Sequence, residues 1–416
     1  MRALARTMRF WLVEVWGPGW DWPRRRLLCK HFLAYFRNPA IPTAHLPEPD
    51  TAGGLNTRRA EQTAFSRAFR ARIDSVQVDG GSGRSRGVFL TYRPLGKNLR
   101  LMGTAISENA ERGRAVFIEP EGPRTEQEAL ASRGARWSPW LWSRSGSGDL
   151  EGEQDAARAW NVLFRHPMAD ASQAKGERAD GTPSVQAGDG PFNARFLQRV
   201  LQVAAATRYV FTPVEAIITR VLALKETLGW PDHGKVLGVH VRRGDAASSE
   251  TGGAAPTKAT RRSFPLTAYL EAADRLCERY GIRHIFLATE SRDDIRRAIE
   301  LRPQYRFLWI DHDRSLFPNI SVSPQFIEDQ TLERPGDARA LATSAIADLY
   351  WLSECRAFVG AFNSEFSVLA WLLMVGSKGH LVPYVSLSEP ATRRSLHPYT
   401  ALLNLDNNCP LELYHW

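Results

Sequence analysis

The second half of the chain alternates short apolar runs with amphipathic stretches. Apolar runs at 236–241, 284–288, 307–310, 357–360 and 380–385 are bounded by turn residues and predict buried strands. The segments 266–280, 293–299, 342–352 and 364–374 between them repeat apolar residues at helical spacing. Strands that alternate with helices of this length predict a doubly wound parallel sheet. Ligands of such sheets bind at the carboxyl ends of the strands, so polar residues there are the first candidates for a site.

The first half carries a weaker form of the same pattern. A strand at 88–92, a turn at Gly96-Lys97-Asn98, a helix at 99–112 and a strand at 115–118 predict a βαβ unit. Helices follow from Phe196 and from about Phe211, and Gly229 is expected to cap the second. Residues of about 165–190 are polar and rich in glycine, which predicts a flexible insertion. We therefore expect an aromatic and basic segment at 1–80, an α/β domain at 81–210 and a second at 211–416.

The charge of the chain favours an anionic partner. Its 416 residues are 43% hydrophobic and carry a net charge of +9, which suits nucleic acid, an anionic membrane surface or a nucleotide-sugar diphosphate. The arginines are spread along the chain without a basic arm, which argues against nucleic acid. The apolar run Trp11–Trp16 is too short to span a membrane. As written, the chain is expected to be soluble, in the Golgi lumen with its anchor outside this sequence or in a bacterial cytoplasm.

The cysteines do not suggest a metal site. Cys29, Cys277, Cys355 and Cys409 lie far apart without the spacing of a zinc ligand pair. Cys277 and Cys355 fall in apolar helical patterns and are predicted to be core residues. Two disulfides remain open if the protein is lumenal.

The run Arg242-Arg243-Gly244-Asp245 directly follows the strand predicted at 236–241. A guanidinium offers a planar fork of donors that matches phosphate oxygens. Arg242 is therefore well placed to hold a diphosphate and to stabilise it as a leaving group. Gly244 would allow a sharp turn, and Asp245 could orient one of the arginines. The alternative is a charged turn with an internal salt bridge.

The run Val236–Asp245 resembles the donor-site signature of GDP-fucose fucosyltransferases, which include α-1,6, chitooligosaccharide, α-1,2 and protein O-fucosyltransferases. The likeness to the α-1,6 group continues at Phe286–Glu290, Ala347–Ser353 and Phe362–Glu365 and covers roughly 196–387. It implies a GT-B-like α/β architecture, with two Rossmann-like domains whose parallel sheets face a cleft. The donor would lie in the C-terminal domain and the acceptor would face the N-terminal one. It also implies inverting transfer of L-fucose from GDP-fucose to a GlcNAc-containing acceptor, such as an N-glycan core or a chitin-like oligosaccharide, in α-1,6 linkage and without a metal or other cofactor.

The resemblance also implies roles for single residues. Arg242 would bind the β-phosphate, and Glu250 would be the base that takes the proton of the acceptor hydroxyl. His240 and Asp348 match positions near the guanine, where Asp348 can accept from N1–H and N2–H. Ser364 lies at a helix start that can bind phosphate. The further donor-binding candidates are Arg243, Asp245, Glu365, Gly96 and Asn98.

The residues alone leave other interpretations open. His240 also fits a core histidine, Asp348 a solvated carboxylate on a helix, Ser364 a plain N-cap and Glu250 a solvated loop residue. Arg242 also fits a structural ion pair.

Several positions depart from the α-1,6 pattern. Ala246 stands where that group has a lysine paired with the base, and Lys258 is a possible substitute. The loop at 248–262 is longer, and Glu290-Ser291 and Glu365 replace Asp-Asp and Gln. An SH3-like C-terminal domain is expected to be absent. These departures leave the acceptor open.

Three other functions fit parts of the sequence. An α-1,2- or protein O-fucosyltransferase would share the donor signature. The triplet Asp311-His312-Asp313 would suit a glycosyltransferase that depends on a divalent metal. Ala246 and the rebuilt loop would suit a GDP-sugar-binding protein that has lost catalysis.

Overall fold

The computed structural model describes residues 43–45, 57–78, 86–88, 95–118, 136–137, 144–145, 163–164, 192–232, 234–243, 264–314, 335–362 and 364–387. The helices in these ranges are α1 (Thr57–Val78), α2 (Leu95–Ala110), α3 (Phe192–Val210), α4 (Glu215–Leu228), α5 (Leu266–Tyr280), α6 (Arg292–Leu301), α7 (Pro335–Glu354) and α8 (Glu365–Lys378). The strands are β1 (Thr43–His45), β2 (Arg86–Val88), β3 (Val116–Ile118), β4 (Arg136–Trp137), β5 (Arg144–Ser145), β6 (Val236–Val241), β7 (His284–Thr289), β8 (Arg306–Leu308), β9 (Ala357–Gly360) and β10 (Tyr384–Ser386).

The main sheet has the strand order β1-β10-β9-β6-β7-β8. The last five of these strands are parallel to one another, and β1 is antiparallel to β10 at the edge. The predicted α/β class with a doubly wound parallel sheet is therefore confirmed. Counted along the chain, the parallel strands lie in the order 3-2-1-4-5, as in the Rossmann fold. The order reverses between β6 and β9, which makes the gap between them the switch point where such sheets bind ligands.

Strand β6 separates two layers of helices, and all six of its residues are buried. Leu237, Val239 and Val241 pack on one face within a core that includes α5 and α6. The other face belongs to a second core that includes α3, α7 and α8. Because neighbouring residues of a strand point to opposite faces, His240 lies on the same face as Val236 and Gly238.

Gly238 allows α7 to approach β6 closely. A Cβ atom at this position would lie 3.0 Å from Leu352 Cδ2 and 3.2 Å from Cys355 Sγ. Asp348 lies one helical turn before Leu352, and α7 runs antiparallel to the sheet strands as it returns to β9. The close approach therefore carries Asp348 toward the carboxyl edge of the sheet, roughly 6 Å beyond Gly238.

The N-terminal part contains a βαβ unit, as predicted. Strands β2 and β3 pair in parallel, and α2 connects them. Helix α2 begins at Leu95, so Gly96 and Asn98 lie in its first turn and not in a separate turn before it. The first N–H groups of a helix have no partner inside the helix, so residues of low helix propensity are tolerated there. The buried side chain of Gln77 holds β3, with its Oε1 accepting from Val116 N at 2.7 Å and its Nε2 donating to Val116 O at 3.1 Å.

Several boundaries differ from the predicted ones. Strand β1 and helix α1 were not predicted, since a three-residue edge strand has no measurable period and α1 is largely polar. Helix α7 begins at Pro335, earlier than expected. Helix α4 ends as predicted at Gly229, whose φ of 61° is the left-handed cap conformation. The predicted strand at 88–92 is seen at 86–88, and the insertion at 165–190 lies outside the described residues.

Cys277 and Cys355 are buried free thiols in the core, as predicted, and burial raises the pKa of Cys277 to about 12. Cys29 and Cys409 lie outside the described residues. Of the helices that the structure describes, none combines the length and apolar character needed to cross a membrane.

Candidate functional site

Two segments meet the carboxyl edge of the sheet at the switch point. Strand β6 ends at Val241 and continues into Arg242 and Arg243. Strand β9 ends at Gly360, and α8 begins a few residues later at Glu365. The predicted arginine run and the predicted helix start therefore lie on the two strands that border the switch point.

Arg242 is held by a carboxylate at the end of the neighbouring strand. Strands β6 and β7 pair in register from Val236 with His284 to Val241 with Thr289, so Arg242 follows opposite Glu290. Arg242 Nη1 donates to Glu290 Oε1 at 2.5 Å, and the backbone N–H of Arg243 donates to Glu290 Oε2 at 3.2 Å. The Arg242 and Glu290 side chains are 20% and 11% exposed. This pairing fixes the direction of the guanidinium at the carboxyl end of β6.

Arg243 has a different set of contacts. Its Nε and Nη2 donate to the two oxygens of Asp294 at 2.6 and 3.3 Å, and its Nη1 donates to the carbonyl of Phe264 at 2.6 Å. Asp294 lies in the first turn of α6, where Ser291 Oγ accepts from its backbone N–H at 3.1 Å. Arg243 thus ties the segment after β6 to α6 and to Phe264, two residues before α5. These contacts make it a structural anchor for Arg242.

His240 connects β6 to α8 across the switch point. Its Nδ1 lies 2.7 Å from Ser367 Oγ, and its ring centroid lies 4.7 Å from that of Phe366. Burial, together with the nearby charge of Arg242, lowers the pKa of His240 to about 3, so the ring is neutral at physiological pH. His240 has the contacts of a satisfied core histidine, yet it lies one residue from the end of the strand that carries Arg242.

Ser364 is the N-cap residue of α8 and is buried. Its hydroxyl makes no capping hydrogen bond to the described residues of the helix, so the plain N-cap interpretation is wrong for its side chain. Its backbone N–H donates to Ala361 O at 2.9 Å. Glu365 follows in the first turn of α8 and is half-buried. Helix α8 begins a few residues after β9, which borders the switch point, and the free N–H groups at a helix start favour an anion.

Asp348 is paired with a histidine that follows β8. Its Oδ2 lies 3.1 Å from His312 Nε2, and the two side chains are 14% and 5% exposed. It is therefore not a solvated carboxylate. Asp311 is 80% exposed and lies 3.7 Å from both Arg292 and Arg314.

In the Asp311-His312-Asp313 triplet, His312 thus belongs to the buried pair with Asp348, whereas Asp311 lies at the surface. Within the described ranges, no three His, Cys, Asp or Glu side chains come close enough to share a metal ion.

The structure brings together only part of the predicted site. His240, Arg242, Arg243, Ser364 and Glu365 border the switch point, and Asp348 lies on the helix that packs on the same face as His240. Gly244, Asp245, Glu250, Ala246 and Lys258 lie outside the described residues. Gly96 and Asn98 lie in the first turn of α2.

Sequence reasoning missed the partners of the predicted residues. Glu290 and Asp294 hold the two arginines, Ser367 holds His240 and His312 holds Asp348. The register of adjacent strands was the available signal for Glu290, because β6 and β7 end together. The other partners come from neighbouring helices and loops, whose relative positions the sequence does not give.

No protein-family model matches the chain, and no curated protein does. Solved structures that it resembles include fucosyltransferases. The NodZ α-1,6-fucosyltransferase co-crystallised with GDP is 16% identical over 70% of this chain and 93% of that one, with a TM-score of 0.36. The fucosyltransferase NodZ from Bradyrhizobium is 16% identical over 70% of this chain and 94% of that one, with a TM-score of 0.35. POFUT1 in complex with GDP-fucose is 12% identical over 44% of this chain and 48% of that one, with a TM-score of 0.28. At these values the likeness assigns the chain to no family.

Proposed function

We propose that this protein is a glycosyltransferase that moves L-fucose from GDP-fucose to a GlcNAc-containing glycan. The observation that carries the proposal is the position of Arg242, at the carboxyl end of β6, beside the switch point, with its guanidinium oriented by Glu290. Sheets with this strand order bind nucleotides at that place. The resemblance of Val236–Asp245 to the donor-site signature of GDP-fucose fucosyltransferases supports GDP-fucose as the nucleotide sugar.

Arg242 acts on the leaving group. As the acceptor oxygen attacks the anomeric carbon, the bond from that carbon to the β-phosphate oxygen breaks and negative charge grows on the diphosphate. A guanidinium has five N–H donors, so Arg242 can bind phosphate oxygens while Glu290 holds Nη1. A charged donor fixed before the reaction stabilises the transition state more than a mobile one. The start of α8, at Ser364 and Glu365, adds the favourable end of a helix dipole.

Glu250 completes the transfer as the base. It takes the proton of the acceptor hydroxyl while GDP departs, and the anomeric configuration inverts. Asp245, Gly96 and Asn98 remain candidates for further donor contacts. We assign Arg243 a positioning role because Asp294 and the Phe264 carbonyl bind its guanidinium.

Asp348 recognises the base. Its carboxylate can accept from both N1–H and N2–H of guanine, whereas adenine presents an acceptor at N1. His240 belongs to the surroundings of the base, with its ring fixed by Ser367. The reaction needs no metal ion, since Arg242 and the helix start neutralise the diphosphate. The linkage is α-1,6 to a GlcNAc of an N-glycan core or a chitin-like chain, and residues 81–210 face this acceptor across the cleft of a GT-B architecture.

The deciding experiment measures GDP release from GDP-fucose in the presence of EDTA. The acceptors are GlcNAc-terminated N-glycans, chitooligosaccharides, a folded protein domain with free Ser and Thr hydroxyls, and galactosides. We expect turnover with a GlcNAc acceptor, and loss of turnover in Arg242→Ala and Glu250→Gln. Arg296→Ala is the matched control, because Arg296 is a surface arginine of α6 with a 69% exposed side chain. Transfer to the protein domain or to galactosides would instead identify a protein O- or an α-1,2-fucosyltransferase.

A second candidate function is a GDP-sugar-binding protein without catalysis. The observation that favours it is Ala246, where α-1,6 enzymes have the lysine that pairs with the base. In that case the wild type binds GDP and releases none from GDP-fucose with any acceptor. Absence of GDP binding would overturn both functions.

A further inference from the structure

The buried pair of His312 and Asp348 joins two elements that the chain places far apart. His312 follows β8 at one side of the sheet, and Asp348 belongs to α7, which packs over β6 and β7. The pair is buried, with 5% of the His312 side chain and 14% of the Asp348 side chain exposed. A carboxylate in such surroundings needs a donor, and His312 Nε2 supplies it at 3.1 Å.

The geometry fixes the proton on His312. A carboxylate only accepts hydrogen bonds, so Nε2 carries the proton that it donates to Asp348. This bond uses one of the roughly four lone-pair sites of the carboxylate and leaves both oxygens able to accept from a second partner. It also sets the plane of the carboxylate, because a hydrogen bond to Oδ2 opposes rotation about the last bond of the side chain.

Arg314 holds the turn that carries His312. Arg314 donates through Nη2 to Ile310 O at 3.0 Å and through Nη1 to His312 O at 3.3 Å. The Arg314 side chain is only 7% exposed, so these bonds are shielded from water. The arginine thus fixes the backbone on both sides of Asp311. The position of the His312 imidazole is therefore set by this turn as well as by its contact with Asp348 on α7.

We infer that His312 is a positioning residue that holds Asp348 to accept two adjacent N–H donors of a purine base. The turn Asp311–Arg314 therefore sets the base selectivity of the donor site. This inference rests on the proposed function, since it concerns the same nucleotide. Guanine presents N1–H and N2–H side by side, hypoxanthine presents only N1–H, and adenine presents an acceptor at N1. The triplet at 311–313 thereby acquires a role in base recognition that involves no metal.

The test compares the dissociation constants of GDP, IDP and ADP by titration calorimetry with the full chain. His312→Phe removes the donor and keeps a planar ring, and His312→Gln keeps an N–H close to the position of Nε2. His284→Gln is the matched control, because His284 begins β7 and so lies at the amino ends of the strands, away from the carboxyl ends where the site is. The GDP to IDP preference isolates the N2–H contact, and ADP reports the affinity that comes from the diphosphate and ribose.

We expect the wild type and His284→Gln to prefer GDP to IDP. His312→Phe should reduce that preference by about tenfold, as expected for one misoriented hydrogen bond to a charged group, while the Kd of ADP stays unchanged. His312→Gln should retain most of the preference. Equal loss of affinity for all three nucleotides, or an unchanged preference in a His312→Phe protein that melts like the wild type, would overturn the inference and leave the proposed function standing. If His312→Phe does not fold, a His312→Gln protein with no preference for GDP would overturn it instead. A wild type that binds none of the nucleotides would overturn the proposed function itself.

Discussion

Arg242 and Glu290 face each other at the ends of two adjacent strands, with Arg242 Nη1 2.5 Å from Glu290 Oε1. The pair follows from strand register, since Val241 lies opposite Thr289 in the last position of the ladder. Glu290 also binds the backbone N–H of Arg243, so one carboxylate fixes both the side chain of Arg242 and the course of the main chain after it. We therefore regard Glu290 as the residue that preorganises Arg242 for the phosphate contact that we propose.

The first prediction concerns this pair. Arg242→Ala should lower kcat by about 10²- to 10³-fold, the usual effect of removing one oriented donor to a developing charge. Arg242→Lys should recover little, because an ammonium cannot bind Glu290 and phosphate through a planar fork. Glu290→Gln keeps the shape of the side chain and weakens its hold on Arg242, so it should lower kcat by roughly 10-fold. The measurement is steady-state GDP release with the best acceptor.

The double variant separates positioning from an independent role of Glu290. If Glu290 acts through Arg242, Arg242→Ala combined with Glu290→Gln should be no slower than Arg242→Ala alone. Effects that multiply would contradict this relationship. Glu300→Gln is the control, because Glu300 is an exposed acid of α6 whose contact with Arg296 is at 4.0 Å.

The second prediction concerns the stability that Arg243 provides. Asp294→Asn removes the charge, and Arg243→Lys the two-pronged guanidinium contact, of a partly buried ion pair in which Arg243 is 23% and Asp294 10% exposed. Each should lower the free energy of unfolding by about 2 kcal/mol, the contribution typical of hydrogen bonds to charged groups. Urea unfolding at neutral pH measures this loss. Arg296→Ala, which breaks an exposed pair with Asp293, should change the free energy by no more than about 0.5 kcal/mol. Similar losses in all three variants would show that Arg243 is no anchor.

The sequence predicts the sheet well where burial imposes a pattern. The bounds of β6, α5 and β9 agree with the predicted ones, because a strand buried on both faces is a continuous apolar run and α5 buries one clear stripe. Strand β1 has three residues and takes its structure from pairing with β10, a partner remote in the chain. No local pattern can indicate such a strand.

In the candidate site, too, the residues that follow a local pattern are predictable and those that depend on packing are not. The position of Arg242 is predictable because it follows a buried strand, and Ser364 because it precedes an apolar helix. The partners Ser367 and His312 are not predictable, since each depends on how a helix lies across the sheet. The sequence places His312 in an Asp-x-Asp triplet, and only the packing of α7 reveals its contact with Asp348. The predicted domain boundaries and the role of Glu250 remain predictions.

The third prediction concerns the dependence of stability on pH. The pKa of His240 is about 3 in the folded protein and near 6.5 when unfolded, with burial as the main cause. Between these values the unfolded chain binds a proton that the folded chain does not, so the free energy of unfolding falls as the pH falls from 6.5. The contribution is up to about 1.4 kcal/mol per pH unit. His240→Gln should remove it, which urea unfolding between pH 4 and pH 8 can measure.

The informative quantity for His240 is the difference between variants, because carboxylates also titrate in this range. We expect the His240→Gln and wild-type curves to run parallel above pH 7 and to converge below pH 6.5. His284→Gln, at the amino end of β7, should follow the wild type throughout. Parallel curves for wild type and His240→Gln down to pH 4 would contradict a neutral, buried His240.

The last prediction concerns metal ions. Asp311 is 80% exposed and lies 3.7 Å from Arg292, whose side chain is 75% exposed, so the two form a surface ion pair. Exposed pairs of this kind contribute at most about 1 kcal/mol, so Asp311→Asn should leave kcat within roughly twofold of the wild type. EDTA should leave turnover unchanged and added Mn²⁺ should not raise it, because in the proposed reaction Arg242 and the start of α8 neutralise the diphosphate. Asp348→Asn should instead raise the Kd of GDP, because an amide cannot accept from both N1–H and N2–H of guanine. Turnover that EDTA abolishes and Mn²⁺ restores, together with an inactive Asp311→Asn, would replace Arg242 with a metal ion as the group that neutralises the diphosphate.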